Sequence, residues 1–163
     1  MVVDQNSLNV KKYFSLIFFF LLLSSKSYSN NYTLTNIIEL DEPWGSSFIN
    51  KDELIVTEKG GKIKIVNVNS KKILEVEHNL NFLNIGQGGL LDIIHQNNNL
   101  WISYSEDRGD WKTSTSIARA KLNKKKLDFE NIFQANPPID SGYHFGSRLA
   151  IKDDYLFASA GER

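Results

Sequence analysis

Three short apolar runs in this chain resemble one another: Leu54-Ile55-Val56-Thr57, Leu100-Trp101-Ile102-Ser103 and Leu156-Phe157-Ala158-Ser159, which begin 46 and 56 residues apart. Each leads towards a glutamate, namely Glu58, Glu106 and Glu162. The interval is that of a propeller blade, a four-stranded antiparallel sheet of about 40 to 50 residues. From Asn30 onward the chain reads as short β-type runs separated by turn chemistry, with almost no helical period.

The other strands fall into place around those anchors. In the first unit Gly45 to Ile49 precedes a turn at Asn50 to Asp52, and Lys59-Gly60-Gly61 follows the Leu54 strand. Lys62 to Val68 and Ile73 to Val76 then form a hairpin around Asn69-Ser70. The second unit has Gly88 to Ile94, a polar turn at Gln96 to Asn99, the Leu100 strand, a longer loop through Trp111, and strands over Thr113 to Leu122 and Leu127 to Phe133. A third opens with Phe145 to Ile151, turns at Asp153-Asp154 and runs along Tyr155 to Ser159. The expected fold is all-β: a six-bladed β-propeller of which this chain supplies about two and a half blades. A propeller buries each sheet against the next and must close its ring, so the expectation is the N-terminal part of a longer protein, roughly 300 residues at six blades. A self-contained β-sandwich is the alternative, with no blade-length repeat in its favour.

Residues 1–29 are expected to be a secretory signal peptide. Lys11 and Lys12 precede an apolar run from Tyr13 to Leu23, and Ser27-Tyr28-Ser29 supplies small residues for cleavage. The run is shorter than the about 20 apolar residues of a comfortable span, which favours cleavage over a retained anchor. Residues 30–163 then form the exported propeller segment, with no stable membrane span. The sequence has no cysteine, so neither a disulfide framework nor a thiolate metal site is available. Nineteen basic and nineteen acidic side chains balance, which argues against nucleic acid as a partner. Lys124 to Lys126 read as a solvated turn between two strands.

In an antiparallel meander, the connection into the first strand and the one between the second and third lie at the same end of the sheet. That gathers Pro43-Trp44-Gly45, Lys59 to Gly61, Ile85 to Gly89, Glu106 to Trp111, Gly142 to Gly146 and Gly161-Glu162-Arg163 onto one face. Gln87 and His144 each precede the innermost strand of neighbouring blades, so they should flank one opening. Gln87 brings an amide donor and acceptor; the histidine accepts a proton near neutral pH. Each also has a plain structural reading, as a strand-end cap or a solvated loop residue. Glu106, Asp107 and Asp110 form an acidic loop without the regular spacing of a calcium loop. Arg148 is open to two readings, contact with an anion or pairing with a carboxylate inside the ring. His78 and His95 carry no assigned role.

Pro43-Trp44-Gly45, Thr57-Glu58-Lys59-Gly60-Gly61, Gly86-Gln87-Gly88-Gly89-Leu90-Leu91-Asp92, His144-Phe145-Gly146-Ser147-Arg148-Leu149 and Gly161-Glu162-Arg163 occur in this order. Together they resemble the soluble pyrroloquinoline quinone-dependent aldose sugar dehydrogenases, the glucose/sorbosone dehydrogenase family, over about Pro43 to Arg163. The resemblance implies a periplasmic six-bladed propeller that oxidises aldoses at C1, with pyrroloquinoline quinone (PQQ) and calcium (Ca2+) as cofactors and a periplasmic electron acceptor as partner. By it, His144 matches the catalytic base and Gln87 a residue lining the quinone and sugar pocket. The glucose dehydrogenase branch has an acidic residue immediately before the histidine, where this chain has Tyr143. The implied quinone-binding arginines and lysine and the calcium ligands lie beyond Arg163, so the chain alone is expected to be inactive. The competing reading is a non-catalytic propeller that binds carbohydrate or protein.

Overall fold

The computed structural model describes residues 32–162, and the signal-peptide assignment lies outside them. The compact unit that begins at Asn36 carries every strand described. Among the described residues there is no helix, and none is therefore long and apolar enough to cross a membrane.

The first blade is a meander of β1 (Pro43–Phe48), β2 (Glu53–Glu58), β3 (Ile63–Asn67) and β4 (Ile73–His78), all antiparallel neighbours. Its turns form where a side chain can satisfy the bend. Asn50 Oδ1 accepts the backbone N–H groups of Asp52 and Glu53, both at 2.9 Å, and Asn67 Oδ1 accepts those of Asn69 and Ser70 at 3.2 and 2.8 Å. The innermost strand β1 contributes small residues at Gly45, Ser46 and Ser47 because the next blade comes very close. A Cβ on Gly45 would lie 2.6 Å from the carbonyl oxygen of Leu91, so only glycine fits there.

The second blade pairs β5 (Leu90–Gln96), β6 (Asn99–Asp107), β7 (Thr113–Lys121) and β9 (Glu130–Gln134). Asn97 and Asn98 both have positive φ, 49° and 61°, which makes β5–β6 a two-residue hairpin of the type whose twist suits its strands. The run read as one strand from Leu127 to Phe133 is divided. β8 (Lys126–Leu127) leaves the second blade and pairs in parallel with Glu77 and His78 at the outer edge of the first. Burial drives the detour: Leu127 is completely buried among Ile55, Ile63, Val76 and Leu100 in the core between the two sheets. Asn79 fastens the same crossing, its side chain donating to Phe129 O at 3.0 Å and accepting the Phe129 N–H at 2.7 Å. Lys124 adds an ion pair to Glu53 at 2.6 Å, so part of the lysine turn reaches back to the first blade.

The third blade is represented by its inner hairpin, β10 (Leu149–Lys152) and β11 (Tyr155–Ala158). The extended strand starts at Leu149 and not at Phe145, because His144, Gly146 and Ser147 have φ of 62°, 65° and 75°. The result is an all-β propeller segment of two blades and half of a third.

Candidate active site

The glycine-rich connections do converge at one end of the sheets. Leu90 N–H donates to Lys59 O at 3.2 Å, and Gln87 N–H to Gly142 O at 2.7 Å. Gly86 has a left-handed φ of 56°, and a Cβ there would meet Gly142 O at 2.4 Å, so the two loops touch backbone to backbone.

Gln87 and His144 are brought together on this platform, both exposed. The His144 backbone N–H donates to Gln87 Oε1 at 3.1 Å, which ties the amide to the loop and leaves its Nε2 group available. The imidazole has a partner that sequence reasoning missed: Nδ1 lies 2.9 Å from Glu162 Oε1. A proton on Nδ1 donated to that carboxylate leaves the Nε2 lone pair as acceptor, the tautomer a general base needs. The ring is 56% exposed on its side chain, open to a ligand from the end of the blades. The signal for Glu162 was present as the Gly161-Glu162 pair at the end of the third repeat. Its separation from His144 hid the contact, which exists because a Cβ on Gly161 would lie 2.2 Å from His144 O. The carboxylate beside this imidazole thus comes from a loop other than the one that holds Tyr143.

Arg148 pairs with a carboxylate while its side chain stays 74% exposed. Its guanidinium donates to Asp92 Oδ1 at 3.0 Å, while Asp92 Oδ2 accepts the Leu149 N–H at 2.8 Å. Asp92 is 4% exposed and belongs to the second blade, so this pair pins the start of the third blade to its neighbour.

The acidic loop does not act as a unit. Glu106 lies on β6, buried, and accepts from Ser116 Oγ at 2.7 Å, Asn131 Nδ2 at 2.9 Å and Gln134 Nε2 at 2.7 Å, while Asp110 is exposed. Among the described residues no group of three or more His, Cys, Asp or Glu is placed to hold a metal ion. His78 is structural, its Nε2 bonded to Gly61 O at 2.7 Å.

A model of the family described as Glucose / Sorbosone dehydrogenase matches residues 40–163. The aldose sugar dehydrogenase YliI of Escherichia coli strain K12 is 31% identical over 134 residues, covering 76% of this chain and 36% of that protein. Among solved structures, the soluble aldose sugar dehydrogenase of Escherichia coli in its apo form is similar with a TM-score of 0.70 and 31% identity, over 76% of this chain and 38% of the other. A glucose dehydrogenase gives a TM-score of 0.71 at 27% identity, over 76% and 41% of the two chains. The PQQ-bound aldose sugar dehydrogenase of Streptomyces coelicolor shares the fold, with a TM-score of 0.70 at 21% identity over 80% and 41%. The chain thus spans about two fifths or less of each relative's length.

Proposed function

The chain belongs to the glucose/sorbosone dehydrogenase family, and on that premise we propose that it is the N-terminal part of a periplasmic quinoprotein that oxidises aldose sugars at C1. The observation that carries this reading is the His144 arrangement: an open imidazole, its Nδ1 held 2.9 Å from Glu162, its backbone N–H on the Gln87 side chain. Such a histidine is poised to take a proton at Nε2 from a hydroxyl placed over it.

The platform suits the edge of a planar, oxygen-rich cofactor. Gln87 and His144 would offer it an amide and an imidazole, on loops held together by the close backbone approach of Gly86 and Gly142. Gln87 would line the quinone and sugar pocket, consistent with the PQQ that the Streptomyces coelicolor relative binds. PQQ, when bound, would supply the hydride-accepting, two-electron chemistry. The rest falls to residues of this chain. Gln87 orients the ring, His144 Nε2 receives the proton of the anomeric hydroxyl as C1 becomes a carbonyl, and Glu162 stabilises the imidazolium that results. Calcium and the periplasmic electron acceptor belong to the whole protein in this proposal.

The test uses the full-length protein loaded with PQQ and calcium. Aldose-dependent reduction of a dye acceptor is expected, and His144→Ala should lower kcat by about 10²–10⁴-fold, the usual contribution of a general base. Undiminished turnover in a folded His144→Ala variant would remove the assignment. A protein that neither turns over nor binds quinone saturably would instead be a binding propeller.

A further inference from the structure

We infer that Ser103 and Thr115, two buried hydroxyls of the second blade, are positioning residues that hold the His144 loop in its left-handed conformation and so set His144 against Gln87. Its catalytic consequence rests on the function proposed above; its geometry does not.

His144 and Ser147 both have φ in the left-handed region, 62° and 75°. Residues other than glycine stay there only when their surroundings over-determine the backbone. The surroundings here come from the neighbouring blade. Thr115 Oγ1 donates to Phe145 O at 2.9 Å, and Ser103 Oγ donates to Ser147 O at 2.6 Å. These two carbonyls flank Gly146, so the hydroxyls grip both sides of the bend. Ser103 and Thr115 are 0% and 3% exposed, where a hydroxyl has little reason to be unless it is bonded.

The grip is keyed to its own sheet. Ser103 Oγ also accepts the Asp92 N–H at 3.0 Å, so one atom fixes the second blade's innermost strand and the third blade's start. Thr57 occupies the same place one blade earlier: its Oγ1 accepts from Gly45 N–H at 3.0 Å and donates to Leu91 O at 2.5 Å. A hydroxyl between successive innermost strands is thus a repeated device. At the second junction Thr115 joins it, and the segment held is the one that carries the candidate base. Loss of either hydroxyl would leave a buried carbonyl without that donor and relax the loop, and a small displacement of a catalytic group lowers turnover steeply.

The experiment is native-state amide hydrogen exchange on the full-length protein, comparing wild type with Ser103→Ala, Ser103→Thr, Thr115→Val and Thr57→Ala, alongside aldose kinetics. In Ser103→Ala and Thr115→Val, exchange over residues 144–149 should rise about tenfold while β2 and β3 stay protected, the mark of local opening. Aldose kcat should fall about tenfold or more with a smaller change in KM, and Ser103→Thr should restore both. Thr57→Ala should loosen the first junction without selectively opening residues 144–149. If Ser103→Ala yields little folded protein, Thr115→Val, which keeps the shape of the side chain, decides the question. Unchanged exchange at 144–149, or a rise shared equally by β2 and β3, would overturn the inference. Selective opening in a protein whose wild type oxidises no aldose would uphold the positioning role and refute the proposed reaction.

Discussion

Replacing Glu106 with glutamine tests how the second blade tolerates a charge in its interior. The carboxylate is 8% exposed and accepts hydrogen bonds from Ser116, Asn131 and Gln134, with the Arg108 guanidinium 3.6 Å away. Asn131 in turn accepts from the Tyr104 hydroxyl at 2.6 Å. Burial first, and the Glu106 charge second, push the Tyr104 hydroxyl up to about 12 from its usual 10.0. Its raised value means that the folded protein keeps a proton which the unfolded chain releases. The associated stability is therefore complete below pH 10 and disappears as pH rises through the folded value. Two units correspond to about 2–3 kcal/mol at most. Glu106→Gln removes the charge but keeps the shape, and it turns an amide donor towards groups that are themselves donors. We expect a loss of about 2–4 kcal/mol at neutral pH, the range for disrupting a buried, charged hydrogen-bond centre. The same variant should bring the Tyr104 titration down towards 10.0 without reaching it, because burial persists. Phenolate absorbance against pH follows this directly, with Tyr104→Phe identifying the late-titrating group. An unchanged late titration in Glu106→Gln would show that the carboxylate does not hold the phenol, and the reasoning would fail.

Two further outcomes are expected. Leu127→Ala, which empties a fully buried site between the first two sheets, should cost about 2–5 kcal/mol in denaturant unfolding, and a loss below about 1 kcal/mol would mean that β8 is not a core element. For Glu58, burial pushes the carboxyl up, but the Lys64 ammonium at 2.6 Å and the Asp41 backbone N–H outweigh it, and the group lies below its usual 4.5. Its contribution is then present above pH 4.5 and lost as pH falls through the folded value, so Glu58→Gln should flatten that part of the acid unfolding curve.

The features legible in the sequence were those set by local chemistry or by alternation. Asn50, Asn69-Ser70 and the Asn97-Asn98 pair mark hairpins because their side chains or backbones suit a tight bend wherever they stand. Convergence of Gln87 and His144 followed from strand direction alone. What escaped depends on contacts between blades. Leu127 looks like the start of an ordinary strand, and only the apolar space beside Val76 diverts it. Phe145 to Arg148 reads as extended, yet hydroxyls from the second blade hold part of it left-handed. Glu106 seemed a loop acid since its partners Asn131 and Gln134 lie on a strand more than twenty residues away. Glu162 reaches His144 through a backbone approach that no periodicity encodes.

The short parallel crossing of β8 changes what can count as a module in this propeller. If blades were independent cassettes, a lineage could duplicate, delete or exchange them by cutting at any connection. Here the outermost edge of the first sheet is completed by residues that lie in sequence between the third and fourth strands of the second. A cut at Asn97-Asn98 would put the two sides of that seam on separate pieces, and a transplant of residues 43–78 alone would arrive without its hem. The heritable unit at this end of the ring is the blade together with the strip of its successor that closes it.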